Sequence, residues 1–363
     1  MSHHGRHEAD SPADSAADSA AEASPDAPAD VPAAGGGASG RRALLGVVAV
    51  AVLGIQLAFT ASYAGALHAA EPRDVPVATV VPAAQREPLA GALSDAPVAL
   101  QEVASAEVAE QQVRDGDVDG AFVVAADGPR LLVASAGGPA TVTALEAVFE
   151  PVAQSSGATL QVDDLVPLPD GDSRGLVAFY LLVGWVVGGY LLAAVLGVSA
   201  GMTPTALRSG LGRLGPLAGY AVASGVLGTA VVDAGYGYLV GSPVATAALG
   251  ALVVFAVGAA SMALQAMFGI IGTALVLLLF VVAGNPSAGG PWPADLLASP
   301  WREIGPWLPN GAGLAALRDA VYFTGSHLGG PLAVLAAWAV LGVAATVLLS
   351  VRGRPLAALP TAR

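Results

Sequence analysis

The chain has 363 residues, of which 55% are hydrophobic and 12% charged, and its mean hydropathy of +0.66 argues against an ordinary water-soluble enzyme. All 15 basic residues are arginines, and the net charge of -13 offers no basic surface to a phosphate backbone, which excludes nucleic-acid binding. Because the chain has neither cysteine nor lysine, disulfides, thiolate catalysis and a Walker-type ATP site of its own are excluded as well.

The first 42 residues predict a disordered, acidic, cytoplasmic tail. They consist mainly of Ala, Asp, Ser, Pro, Glu and Gly, and large apolar side chains that could stabilise a fold are almost absent. Arg41 and Arg42 close this tail, and an apolar segment follows directly. That segment is longer than the apolar region of a cleaved signal peptide, so we expect a retained membrane anchor.

Long intervals without a formal charge predict six membrane-spanning helices. The interval between Arg42 and Glu71 has 28 residues, and the interval between Asp233 and Asp295 has 61. One span needs about 20 apolar residues, so the longer interval holds more than two spans. The predicted spans are residues 43–67, 176–199, 215–239, 244–264, 268–284 and 329–351, the last five forming a transmembrane domain over residues 175–351.

Arginine in short connections predicts the orientation, because arginine is retained on the cytoplasmic side. With six spans, three groups of arginine fall on one side of the membrane: Arg41 and Arg42, Arg208 and Arg213, and Arg352 and Arg354. We therefore expect both termini in the cytoplasm, with a short tail at residues 352–363. The abundance of alanine and the lack of lysine are typical of a GC-rich bacterial genome, so the membrane is expected to be a bacterial cell membrane.

Residues 68–174 predict an extracytoplasmic α/β domain between helices 1 and 2. They carry 17 acidic residues and five arginines. Short apolar runs predict strands, and longer amphipathic runs predict helices, but the strand order stays open. The predicted strands are residues 77–81, 98–103, 121–124, 131–134 and 159–166; the predicted helices are 88–93, 106–114 and one that ends at Gly157.

Three polar side chains within the predicted spans are candidates for a cargo pathway: Asp233, Gln56 and Gln265. A charge inside a membrane is expensive, which makes Asp233 a functional candidate. Its place near the outer end of a span also fits a plain interfacial residue in contact with water. Each glutamine could equally join two helices without touching a cargo.

Residues 285–328 predict an external, re-entrant-like segment, in which one or two short helices enter the outer leaflet. The segment is rich in turn residues and aromatic side chains, and long irregular connections are usually functional or re-entrant. A surface loop that lies on lipid headgroups is the alternative. The gate-like candidates are Asn285, Pro286, Trp301, Trp307, Arg318 and Tyr322, with Trp301 and Trp307 as membrane anchors.

No catalytic residue, resident cofactor or metal site is predicted. Residues 197–201 fit the G-x-S-x-G formula, and residues 210–215 fit G-x-G-x-x-G. The first motif lies at the end of a predicted span, and the second lies in a connection between spans. Neither follows the strand that these motifs require. We therefore expect a protein that is not an enzyme.

The order of one span, a large external domain and five further spans resembles the type-2 ABC exporter permeases, in particular their phage-infection-protein-like branch. The similar motifs are Pro167-Leu168-Pro169 with Asp172, Gly175 and Phe179-Tyr180, then Gly284-Asn285-Pro286 with Gly289-Gly290, and the run from Leu308-Pro309 to Tyr322-Phe323. The resemblance covers about residues 43–351, and the acidic tail has no counterpart in it.

The resemblance implies a permease subunit that exports a hydrophobic or amphipathic cargo. It implies a homodimer or a heterodimer with a second permease, contact with membrane lipids, and a separate ATP-binding cassette subunit in trans. The connection at residues 201–213 is similar to a coupling helix, with Thr203, Pro204, Arg208 and Arg213 facing the ATPase. A receptor or scaffold that binds a cell-envelope partner and transports nothing is the alternative.

Overall fold

The protein is described by a computed structural model over residues 37–68, 70–202, 204, 206–237 and 241–352. These residues are mostly helical, with one small α/β region. The prediction of six helices that are long and apolar enough to cross a membrane is confirmed. They are Gly40–Leu67, Val177–Ala200, Leu207–Gly235, Pro243–Phe268, Ile270–Ser287 and Gly329–Val351.

Helix α1 covers Gly37–Leu67 and therefore begins six residues before the predicted span at residue 43. The two arginines at the end of the predicted tail lie within its first turns. The rest of that tail, residues 1–36, lies outside the described residues, as does the predicted carboxyl-terminal tail after Arg352.

The α/β domain follows α1, and the predicted strands and helices are all found there. Its elements are β1 Val75–Val80, α2 Ala83–Ala92, β2 Val98–Glu102, α3 Ala106–Asp115, β3 Gly120–Ala125, β4 Gly128–Val133, α4 Pro139–Ser155 and β5 Gln161–Asp164. The strand order is β2-β1-β3-β4-β5, with an antiparallel β3–β4 hairpin and parallel pairing elsewhere.

Both faces of the sheet are covered. On one face, α2 and α4 bury large apolar side chains, among them Phe122 and Phe149, whose ring centroids lie 4.7 Å apart. On the other face, Val113 of α3 packs with Leu132 of β4 and with Phe323, which belongs to the helical part of the chain. The side chain of Phe323 therefore extends the core of the α/β domain into its contact with the helices.

The remaining elements form a helical bundle around α7. They are α5 Val177–Ala200, α6 Leu207–Tyr236, α7 Pro243–Phe268, α8 Ile270–Val276, a π-helical stretch Leu277–Ala283, α9 Gly284–Ser287, α10 Trp301–Ile304, α11 Pro309–Tyr322 and α12 Gly329–Arg352. Helix α7 packs against α5, α6, α11 and α12, and 67% of an apolar 18-residue stretch within it is buried.

Glycine allows the helices of the bundle to pack backbone to backbone. A Cβ atom added at Gly189 of α5 would lie 2.8 Å from the Val254 carbonyl oxygen of α7. At Gly342 of α12 an added Cβ would lie 2.6 Å from the Ala260 backbone nitrogen. Such close approach is typical of small residues at interfaces between apolar helices.

Two predicted spans have different limits in the structure. Helix α6 begins at Leu207, eight residues before the predicted start at residue 215. Phe268, the predicted start of the fifth span, is the last residue of α7, because Gly269 at φ 60° ends that helix. The fifth span then contains the π-helical stretch and runs to Ser287 instead of residue 284.

Candidate functional site

The segment after the fifth span folds back into the bundle. Its 14-residue helix α11 is largely buried and packs against α5, α7 and α12. Two short 3-10 turns, Ala294–Leu296 and Gly305–Trp307, and helix α10 precede it. The segment therefore holds a helix longer than the one or two short helices expected from the sequence.

Two asparagines fix the start of α11. The Asn310 amide nitrogen donates to the Phe280 carbonyl oxygen at 3.0 Å and to the Asn285 side-chain oxygen at 2.7 Å. Gly284 lies against the Asn310 side chain and leaves no room for a Cβ atom. Pro286 is buried beside Asn285. These contacts join the end of the fifth span to α11, and Asn310 was not among the gate-like candidates predicted from the sequence.

The two candidate tryptophan anchors have different surroundings. The Trp301 indole nitrogen donates to the Ser62 hydroxyl of α1 at 2.9 Å, and its ring lies against Gly65. The Trp307 side chain is 71% exposed, and its backbone carbonyl accepts a hydrogen bond from Trp338 of α12 at 2.8 Å. Trp301 therefore joins elements of the protein, whereas Trp307 keeps most of its ring free.

Arg318 holds the turn after α9 in place. Its guanidinium donates to the Gly289 carbonyl oxygen at 2.8 Å and to the Gly290 carbonyl oxygen at 3.1 Å. Helix α11 is outside the six candidate spans, and burial there lowers the pKa of Arg318 to about 10, while the charges of Tyr322 and Asp172 oppose that shift. Burial away from water disfavours the charged form of a basic group and therefore lowers its pKa.

Asp172 and Tyr322 lie near this guanidinium. The Asp172 carboxylate accepts hydrogen bonds from the backbone nitrogens of Leu176 and Val177 at 2.9 and 3.1 Å, and so caps the amino end of α5. The Tyr322 hydroxyl is buried, with no hydrogen-bond partner among the residues that the structure describes. Burial raises the pKa of Tyr322 to about 12, and the Asp172 charge adds to that shift.

The α/β domain and the bundle meet at a joint that contains several acidic groups. The His327 imidazole lies 3.0 Å from the Asp117 carboxylate, and the His327 backbone nitrogen donates to Asp319 at 2.9 Å. The Asp119 and Asp295 carboxyls interact across the same joint. Burial and the Asp295 charge raise the pKa of Asp119 to about 7, and burial raises the pKa of Asp295.

The predicted coupling residues separate into different environments. Arg208 is exposed in the first turn of α6, and Pro204 is buried. Arg213 is buried, and its guanidinium donates to the Ala200 carbonyl oxygen at the end of α5 at 2.7 Å. Thr203 lies outside the described residues. Of these arginines, Arg208 has the side chain that is free to meet a partner.

The predicted pathway residues do not form one cluster. Asp233 is half-buried near the carboxyl end of α6, where the chain turns toward the start of α7. Gln265 is buried at the far end of α7, 22 residues or about 33 Å of helix after Pro243, and its side-chain oxygen lies beside Gly197 of α5. Gln56 is exposed on α1. Asp233 and Gln265 therefore lie at opposite ends of the bundle.

Comparisons with protein-family models, curated proteins and solved structures found no match to this chain. Within the described ranges, no group of three or more His, Asp or Glu side chains is placed to hold a metal ion.

Several large cavities lie along the helices and in the α/β domain. One of about 550 Å³ lies between α7 and α12, and one of about 480 Å³ lies between α12 and the segment around α11. A third, of about 750 Å³, lies along α5 and α6 and is lined by Tyr180 and Tyr220. The α/β domain has its own cavity of about 360 Å³ between α2, α4 and the sheet.

Proposed function

We propose that the chain is the transmembrane permease subunit of an ABC-type exporter in a bacterial cell membrane. It would move a hydrophobic or amphipathic cargo outward, with a separate ATP-binding subunit as the source of energy. The observation that carries this proposal is the set of six candidate spans, interrupted after the first by a folded α/β domain. This order resembles that of type-2 exporter permeases, so the proposal rests on analogy for transport itself.

In this proposal both termini are cytoplasmic and the α/β domain is external. If the six helices cross the membrane in alternation, the amino end of α1, the α5–α6 connection and the carboxyl end of α12 would lie on one side of it. These three places carry the arginines that the positive-inside rule assigns to the cytoplasm. The acidic α/β domain then lies on the opposite side.

The exposed first turns of α6 support a contact with an ATPase on the cytoplasmic side. Leu207 and Leu211 are 43% and 50% exposed, and Arg208 is exposed between them. Residues four apart lie on the same helix face, so the two leucines form a small apolar surface beside a cation. Arg213 takes no part in this surface, because its guanidinium is bound to Ala200.

The test is co-purification of the tagged protein with an ATP-binding subunit from its native membrane in mild detergent. In the proposed contact, Arg208→Glu reverses a charge at a surface without disturbing a buried bond. We expect the amount of co-purified ATPase and the rate of ATP hydrolysis to fall at least tenfold in this variant. Arg86→Glu is the matched control, since Arg86 is exposed on the α/β domain, where it pairs with Glu102 at 2.6 Å.

Equal recovery of an ATPase with Arg208→Glu and the wild type would contradict this contact. Recovery of the wild-type protein without any ATP-binding chain would contradict the exporter proposal. A second permease chain in the purified material would distinguish a heterodimer from a homodimer.

A receptor or scaffold is the second candidate, and the α/β domain supports it. The cavity of about 360 Å³ is open between α2 and α4 and is lined by Leu89, Phe122 and Pro129. A concave, mainly apolar site with few polar groups is a usual place for a small ligand or a partner side chain. Recovery of cell-envelope proteins alone with the tagged chain would favour this candidate.

A further inference from the structure

Two apolar cavities of the bundle join into one groove along α12. Trp307, Ala333 and Val334 line both the cavity of about 550 Å³ and the cavity of about 480 Å³. Along α12 the lining extends from Gly330 to Ala345, which is 15 residues or about 22 Å of helix. The groove therefore has the length and the lining of a site for one extended apolar chain.

The groove has a single charged group at one end. Arg318 lines the second cavity, and no acidic side chain lines either cavity among the residues that the structure describes. The backbone carbonyls of Gly289 and Gly290 each accept a hydrogen bond from one N–H group of Arg318. A guanidinium has five N–H donors, so three remain for a further acceptor.

Part of the Arg318 side chain remains accessible in the second cavity. Arg318 also lines a separate cavity of about 200 Å³ with Asp115, Asp119 and Asp319. The Asp172 carboxylate acts on Arg318 through its charge, but it already accepts two backbone hydrogen bonds at the start of α5 and does not line the groove. A partly desolvated cation in an apolar cavity favours an anion that brings its own apolar surface.

We propose that the groove binds a long-chain fatty-acid anion, with the acyl chain along α12 and the carboxylate on Arg318. A planar carboxylate matches the fork of one guanidinium, which can donate two parallel hydrogen bonds to it. The first cavity, between α7 and α12, holds the end of the chain and is lined by Leu264, Met267 and Ala345. Trp307 lies where the two cavities meet and covers the middle of the chain.

This inference rests on the proposed function only in treating the fatty acid as a cargo. Binding itself requires no ATPase, no second permease and no movement across the membrane. The binding experiment is therefore done with the full chain alone, so a failure to bind and a failure to recruit an ATPase are separate results.

The experiment uses the purified full chain in phosphatidylcholine nanodiscs and a photoreactive palmitate that carries a diazirine near its methyl end. We expect cross-links to α7 and α12 residues of the groove, identified by mass spectrometry. Oleate is expected to compete at least tenfold better than oleyl alcohol, because only oleate has a charge for Arg318. Arg318→Gln is expected to remove this difference.

A groove-filling variant tests the site without touching Arg318. Ala337 is exposed and lines the cavity between α7 and α12, so Ala337→Trp places a large ring where the acyl chain would lie. Ala336→Trp is the matched control, because Ala336 is also exposed on α12 but does not line the groove. We expect at least a tenfold loss of cross-linking in Ala337→Trp and less than a twofold change in Ala336→Trp.

Three results would overturn the proposal. The first is equal competition by oleate and oleyl alcohol, and the second is equal cross-linking of the Ala337→Trp and Ala336→Trp variants. The third is competition by a lysophosphatidate that is tenfold better than that of oleate, which would assign the site to a phosphate headgroup. A normal melting temperature of the variants keeps each result interpretable.

Discussion

The α/β domain and the helical bundle both bury large apolar side chains, but the bundle adds close contacts between helix backbones. In the domain, large side chains such as Phe149 and Leu131 fill the space between the sheet and its helices. In the bundle, Gly189, Gly225 and Gly342 bring neighbouring backbones into contact. Burial of large apolar groups away from water stabilises the first, while a close fit stabilises helices whose surroundings are as apolar as their own side chains.

Truncation of a large side chain tests the domain side of this comparison. Phe149 is fully buried and stacks on Phe122, so Phe149→Ala leaves a cavity that costs about 3–5 kcal/mol. We expect faster hydrogen exchange of the β3 and β4 amides in the full chain, with α7 unaffected. The control Val108→Ala, at an α3 position that is 41% exposed, should leave exchange unchanged. Equal loss of protection in α7 would show that the two regions are not separate in stability.

Enlargement of a small residue tests the bundle side. An added Cβ at Gly342 meets the Ala259 and Ala260 backbone, so Gly342→Ala forces α7 and α12 apart at a cost of about 1–3 kcal/mol. The measurement is the melting temperature of the full chain in detergent, which should fall. Gly184→Ala is the control on α5, since an added Cβ there meets nothing within 4 Å. If the two variants have the same melting temperature, close backbone contact is not what stabilises the bundle.

The smallest expected effect concerns the joint between the two regions and its dependence on pH. Burial and the nearby Asp295 raise the folded-state pKa of Asp119 to about 7, well above the ordinary value of an aspartate. A raised pKa means that its stabilising contribution is complete below the unfolded value and is lost as the pH rises through the folded value.

We therefore expect the melting temperature of the full chain to fall as the pH rises from about 4 to about 8. Asp119→Asn should flatten this dependence, because an amide keeps a hydrogen-bond donor for Asp295 at every pH. Asp95→Asn, on an exposed turn, is the control and should leave the slope as it is. A slope that is identical in all three proteins would exclude Asp119 as the titrating group.

The elements could be predicted from the sequence much further than the contacts between them. Long uncharged runs indicated six apolar helices, and short apolar runs indicated all five strands, because both patterns are local. The strand order depends on pairings between distant residues, such as Val77 with Gly120, and no local pattern encodes them. The break before the fifth span was also predicted, although the preceding span was expected to end at residue 264 and α7 continues to Phe268.

The candidate site was predictable only as a segment. Its turn residues and tryptophans marked residues 285–328, but the burial of α11 depends on Asn310 reaching Asn285 and Phe280. The joint with the α/β domain was missed entirely. Asp295 ends the 61-residue uncharged interval, and this position was its one available signal; its partner Asp119 is one of 17 acidic residues in the domain, and nothing local distinguishes it.

The open edges of the sheet have a consequence for how copies of the protein can approach each other. Strand β5 has four residues and contains Asp163 and Asp164, and β2 at the other edge ends at Glu102. Short edge strands with charged side chains resist the pairing of one sheet with another. Where many copies share one membrane plane, their domains would be crowded together, and these short, charged edges would oppose intermolecular β-sheet aggregation.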